Sequence, residues 1–199
     1  MSTEGVNEGR RRFLIGATSA VGAVGAVGAA VPFVASWQPS AKAKTAGAPV
    51  VADISKLEVG QRMTVEWRGK PVWILRRSKE AMASLAKVDP QLRDPQSAES
   101  NQPEYVSGES RARQGAEDIL VLIGLCTHLG CSPLYKPEVG AVDMGAEWLG
   151  GFFCPCHGSK FDFSGRVFKA VPAPTNLEVP PYYFMSDNLI MIGEDGEAA

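Results

Sequence analysis

The sequence predicts an antiparallel, mostly β domain carried on a single N-terminal membrane-spanning helix. Three observations lead there. No charged residue occurs from Phe13 to Ala41. Beyond that run, short segments rich in Val, Ile, Leu and Trp recur between Gly, Pro, Asn or Asp, the pattern of strands joined by turns. A single soluble stretch, SKEAMASLAKV (Ser78–Val88), has a helical period. The chain has 199 residues and a net charge of -2; roughly 150 residues after the apolar run suffice for one core. Its Lys and Arg residues form no basic face, which excludes a nucleic-acid footprint.

The elements follow in chain order. Residues 1–12 end in Arg10, Arg11 and Arg12, and RRRFL resembles the twin-arginine export signal, which carries proteins across a membrane already folded. Residues 13–37 are the expected anchor, because about 20 helical residues cross the hydrocarbon core. The arginines lie on one side only, so the N-terminus stays cytoplasmic and the rest crosses to the periplasmic side of a bacterial inner membrane. An ordinary cleaved signal peptide is the competing reading. The run is long for an apolar region of about 7–15 residues, which favours an uncleaved single-pass anchor. Residues 38–51, containing SAKAKTAGAPVV, are small, polar and aperiodic, the composition of a flexible tether.

Residues 52–199 form the expected soluble domain. MTVEW, KPVWILRRS, ILVLIGL and NLIMIG read as strands, and SKFDFSGRVF reads as a hairpin turning at Ser164 and Gly165. The segment from Asp89 to Glu117 is polar and aperiodic, so it is expected to be a long, solvated surface insertion. Short strands punctuated by turns indicate antiparallel sheets.

Chemistry concentrates in two short runs. The chain has four Cys and two His, and all six lie in CTHLGC (Cys126, His128, Cys131) and CPCH (Cys154, Cys156, His157). ILVLIGL leads into the first and WLGGFF into the second, so both clusters begin where a strand ends. Gly130 and Gly158 suit tight loops. Two loops at one end of a sheet can meet over a common ligand.

Three occupants compete. A zinc ion takes four ligands and leaves two cysteines free in an oxidising compartment. Two disulfides leave unexplained why every His sits beside a Cys. A cluster held by two Cys and two His, with the other two Cys in a disulfide, uses all six. Spacing alone does not decide which cysteines are ligands.

CTHLGC followed by CPCHGS resembles the Rieske iron-sulfur proteins, whose 2Fe-2S centre has two His in place of two Cys on one iron. The resemblance implies an all-β Rieske domain of antiparallel sheets with a small cluster-binding subdomain, its loops within residues 124–178. It implies that Cys126 and Cys154 ligate one iron, that His128 and His157 ligate the other, and that Cys131 bonds to Cys156. Ser159 matches the residue whose hydroxyl bonds a bridging sulfide. The disulfide marks the high-potential, quinol-oxidising branch, which also has an anchor, a tether and a proline-rich loop after the second motif. AVPAPTNLEVP (Ala170–Pro180) resembles that loop, with Pro172, Ala173, Pro174, Asn176 and Leu177 matching. Val171 replaces its usual leading Gly, and Phe161 stands where that branch usually has a Tyr donating to a ligand sulfur. ADISKLEVGQ and GKPVWILRR further resemble the base of the proteobacterial respiratory members.

The implied function is that of the Rieske subunit of a quinol:cytochrome c oxidoreductase, the cytochrome bc1 complex or respiratory complex III. Its expected partners are cytochrome b, a c-type cytochrome, ubiquinol contacted by His157, the lipid membrane, and a second copy of the complex in a dimer. The small Rieske subunit of a periplasmic oxidase of the arsenite oxidase type, and a zinc-stapled periplasmic binding module, are the alternatives. Charge supports electron transfer. Two ferric ions, two sulfides and two thiolates sum to zero, whereas four thiolates give minus two, and the less negative centre accepts an electron more readily. Such centres lie at roughly -150 to +300 mV, against about -400 mV for plant-type ones. An added electron favours a proton on the neighbouring imidazoles, which suits a quinol donor.

Overall fold

The computed structural model describes residues 5, 7–41, 43, 47–106 and 108–196. The chain divides into two compact units, Met1–Thr45 and Ala46–Ala199. In the first, helix α1 spans Glu8–Ala35. The Asn7 side chain accepts from the Arg10 N–H at 3.1 Å, which satisfies one of the free donors of the first turn. The 28 residues include none that is buried, and the helix is long and apolar enough to cross a membrane. It starts five residues before the expected anchor, so Arg10, Arg11 and Arg12 lie on its first turns. Of the expected tether, residues 42 and 44–46 lie outside the described residues, while Val50 and Val51 belong to strand β1.

The second unit holds nine strands and one α-helix among its described residues. Strand β1 is Val50–Asp53, β2 Arg62–Trp67, β3 Lys70–Arg76 and β4 Ile119–Ile123; helix α2 is Lys79–Val88. Strand β5 is Leu134–Lys136, β6 Gly151–Phe153, β7 Lys160–Phe161, β8 Tyr182–Ser186 and β9 Leu189–Ile192. They form three antiparallel three-stranded sheets, ordered β1-β9-β8, β2-β3-β4 and β5-β6-β7. Arg68 and Gly69 join β2 to β3, with φ of 53° and 71°, the left-handed pair of a type I′ hairpin turn. Strand β4 is buried at all five positions, which is why it reads as a continuous apolar run rather than an alternation.

Helix α2 begins where the Ser78 side chain accepts from the Ala81 N–H at 3.2 Å. It buries Ala81, Leu85 and Val88, one face at helical spacing. The strands β1, β5 and β8 escape sequence reading because they are short or aromatic and lie beside Pro. WLGGFF is a strand only from Gly151. Trp148 is instead buried in the preceding loop, where its Nε1–H donates to Lys136 O at 3.0 Å. The expected hairpin at Ser164 and Gly165 is a turn closed by a single antiparallel bridge, Phe161 to Val167.

The segment from Asp89 to Glu117 is not the expected solvated insertion. Leu92, Val106, Arg111 and Ala112 are buried, and its polar side chains serve the interior. Arg111 is fully buried and donates to Ser164 O at 3.0 Å, Leu177 O at 2.6 Å and Gln102 Oε1 at 2.9 Å. Burial lowers its pKa to about 10. Arg77 donates to Ser164 Oγ at 2.6 Å and to the Glu117 carbonyl. Arg166, also fully buried, pairs with Asp162 and Asp89, each at 2.7 Å, and its Nη2 donates to Leu85 O at the end of α2. Arginine forks satisfy carbonyls that irregular backbone leaves unpaired, so a polar composition is compatible with burial.

Candidate metal centre

Strand β4 runs through Gly124 and Leu125 to Cys126. A Cβ on Gly124 would come within 2.2 Å of the Trp73 ring, so the approach to the first cysteine requires glycine. Strand β6 ends directly at Cys154. Each cysteine opens the same turn. Cys126 N–H donates to Cys131 O at 2.7 Å and Gly130 N–H to Cys126 O at 2.9 Å; Cys154 N–H donates to Ser159 O at 2.8 Å and Gly158 N–H to Cys154 O at 2.9 Å. Gly130 and Gly158 have φ of 80° and 78°, left-handed values that glycine adopts without strain. In this repeated frame Ser159 takes the place of Cys131, and Cys156 that of His128.

Cys131 and Cys156 form a disulfide between the two loops, with Cα atoms 6.7 Å apart and a sequence separation of 25. Closing a loop of that length contributes about 3.5 kcal/mol in the chain-entropy account. Cys126 and Cys154 take no part in a disulfide and are 3% and 2% exposed. The His128 and His157 rings meet edge to face with centroids 4.8 Å apart. His128 is half-buried and His157 exposed. Of the four residues that the resemblance implies as ligands, the two thiols lie beside each other in the interior and the two imidazoles beside each other nearer the surface.

The sulfurs of Cys131, Cys154 and Cys156 also lie within 4.8 Å of one another, but two of these are joined in the disulfide and offer no thiolate. Burial pushes the Cys126 thiol above its ordinary value and the Cys154 side chain adds to the rise, while a hydrogen bond to the His128 backbone and the Ser159 hydroxyl pull it back. Two adjacent buried thiols become thiolates when a cation neutralises them. Soft sulfur inside and imidazole outside is a donor set that fits an iron-sulfur cluster.

The loop Ala170–Pro180 covers both turns. Thr127 Oγ1 donates to Thr175 O at 2.7 Å, and Ala173 N–H donates to the fully buried Ser159 Oγ at 3.0 Å. The Ser159 hydroxyl also lies close enough to Cys126 to lower its thiol pKa, and the Ala173 N–H takes up one of its two acceptor positions. Val171 is no obstacle in place of Gly. The left-handed residue is its neighbour Ala170, with φ of 58°. Phe161 is fully buried in register with Phe152, which stacks on Trp73 at 5.1 Å. Sequence reasoning missed Leu129, 71% exposed between His128 and Gly130, and the tie made by Thr127. A leucine inside a ligand-bearing loop was the available signal for the first; none existed for the second.

Residues 1–40 match the family model described as Ubiquitinol-cytochrome C reductase Fe-S subunit TAT signal, and residues 95–181 match the Rieske [2Fe-2S] domain. A ubiquinol-cytochrome c reductase iron-sulfur subunit of Allochromatium vinosum is 57% identical over 199 residues, covering 100% of this chain and 95% of that one. One from Bradyrhizobium diazoefficiens is 45% identical over 185 residues, covering 92% and 94%. Among solved structures, a chain of a hyperthermophilic respiratory Complex III is 29% identical with a TM-score of 0.47, covering 89% of this chain and 98% of that one.

Proposed function

The chain belongs to the family of ubiquinol-cytochrome c reductase iron-sulfur subunits, and from that premise we propose that Cys126, His128, Cys154 and His157 hold its 2Fe-2S cluster. The protein is the electron-transfer subunit of the reductase, its Rieske domain carries a 2Fe-2S centre, and the cytochromes of the bc1 complex are its partners. When bound, such a cluster supplies one-electron chemistry.

The remaining work falls to the chain. Cys126 and Cys154 supply thiolates from the interior. The disulfide keeps the two turns in register with each other. With its nitrogen not used as a ligand deprotonated, the exposed His157 ring would accept a hydrogen bond there from the ubiquinol hydroxyl and take the quinol's proton as the electron leaves. Leu129, Pro172 and Pro174 form an exposed apolar rim that the quinol-oxidation pocket of cytochrome b covers without stranding a polar group. The c-type cytochrome receives the electron, in a complex that is dimeric. Helix α1 anchors the chain, and the positive charge of Arg10 to Arg12 keeps that end cytoplasmic and the Rieske domain periplasmic.

The observation that carries this reading is the pairing of two buried free thiols with two imidazoles at the rim, in loops fastened by a disulfide. The membrane-bound protein is therefore expected to be coloured and to give the EPR signal of a Cys2His2 cluster after dithionite reduction. A colourless protein holding one zinc would end the reading. Replacing either His128 or His157 by Ala is expected to abolish that signal, and its survival would reject the ligand assignment.

A further inference from the structure

The 89–101 segment lies along the proline loop as a clasp. Lys169 N–H donates to Gln91 O at 2.8 Å and Arg93 N–H to Val167 O at 3.0 Å. Leu92 bridges to Phe168, and Asn176 Nδ2 donates to Asp94 O at 3.0 Å. At the centre of the clasp, the Arg93 guanidinium donates from Nη1 to Pro174 O at 3.2 Å and from Nη2 to Val171 O at 3.3 Å. Among the described residues no carboxylate pairs with it. Its fork is spent on two carbonyls, and those carbonyls flank Ala173.

Ala173 N–H is the group that fills the acceptor position of Ser159 Oγ. A hydroxyl whose acceptor side is occupied has fewer orientations open to its hydrogen. We propose that Arg93 is a positioning residue for electron transfer: it fixes the backbone on both sides of Ala173, so that Ala173 N–H directs the Ser159 hydroxyl toward the cluster site. The assignment rests on the ligand set proposed above. It gives the segment a function that a polar stretch far from either Cys/His run does not announce. The contacts run through main-chain carbonyls, and so leave no trace in the residue types of the proline loop.

Two readouts in the assembled complex test it. In Arg93→Gln, hydrogen exchange of the 170–177 peptide is expected to speed up about fivefold, the equivalent of one net hydrogen bond, with exchange of the β4 peptide unchanged. In a potentiometric titration followed by EPR, Arg93→Gln is expected to lower the potential, whereas in a Ser159→Ala background the same substitution is expected to have no further effect. Arg93→Lys keeps the charge but loses the fork, so it should also lower the potential. An equal shift with and without the Ser159 hydroxyl, full retention by Arg93→Lys, or unchanged exchange in the 170–177 peptide would each overturn the proposal. If Ser159→Ala alone leaves the potential unmoved, the assignment of Ser159 fails instead, and the exchange measurement still reports whether Arg93 holds the loop.

Discussion

Replacing Ser159 by Ala removes one oxygen from a fully buried position and has two separable effects. The first is on the centre's affinity for an electron. In the role that the resemblance implies for it, the hydroxyl donates toward the site of negative charge, and a hydrogen bond to a charged acceptor contributes about 1.5–3 kcal/mol. If most of that appears only after the electron is added, the loss corresponds to a fall of roughly 60–130 mV, taking about 59 mV per tenfold for one electron. The second effect is on the proline loop. Ala173 N–H, which now donates to Ser159 Oγ at 3.0 Å, is left buried and unpaired at a cost of about 1–3 kcal/mol. The assay is an EPR-monitored titration of the assembled complex, with cluster content measured in parallel. A variant that keeps its cluster and shifts by less than about 20 mV would refute the reasoning, because the hydroxyl would then distinguish too little between the two charge states.

Phe161→Tyr is expected to raise the potential, since the family's Tyr at this position donates to a ligand sulfur; a titration without a rise would sink that idea. The full burial of Phe161 implies an accompanying loss of about 1–3 kcal/mol in stability from overpacking. Ala170→Gly is expected to raise the melting temperature slightly, because relief of the left-handed strain of about 1–2 kcal/mol exceeds the extra chain entropy of glycine; a lower melting temperature would show that Ala170 is not strained. Arg166→Met strands the buried Asp162 carboxylate and is expected to destabilise the domain by about 3–5 kcal/mol, read from denaturant unfolding. Combining it with Asp162→Asn should recover part of the loss, and strict additivity of the two would contradict the pairing.

Much of the domain is legible in the residues because its central strands are unambiguous. ILVLI and VWIL are too short for a helix and too apolar for a loop, and in the structure both are buried within one sheet. The metal centre is legible because all six Cys and His residues fall in two runs. The 89–117 segment misleads for a physical reason. Reading by hydropathy equates charge with solvent, but the segment's Arg111 is buried as a donor to carbonyls that irregular backbone cannot pair with itself, as are Arg77 and Arg166 outside it. Burial also demands a partner, and apart from Asp162, four residues from Arg166, the partners lie from 40 to 87 residues away in Ser164, Leu177, Glu117 and Asp89. No local pattern encodes contacts of that range.

By itself the sequence determined the class of the fold, the apolar N-terminal span, and the set of residues from which a metal centre must be drawn, because periodicity, length and side-chain chemistry are local properties. Tertiary structure decided which two sulfurs join and which two stay free. Cys131 and Cys156 meet across the loops while Cys126 and Cys154 are enclosed behind them, a distinction that four identical side chains cannot express. It also decided that the left-handed turn before the proline loop falls on Ala170 rather than Val171, and that Ser159 has its acceptor position filled from the loop above it. Those outcomes depend on where separate segments come to rest against each other, and that is fixed only when the core closes.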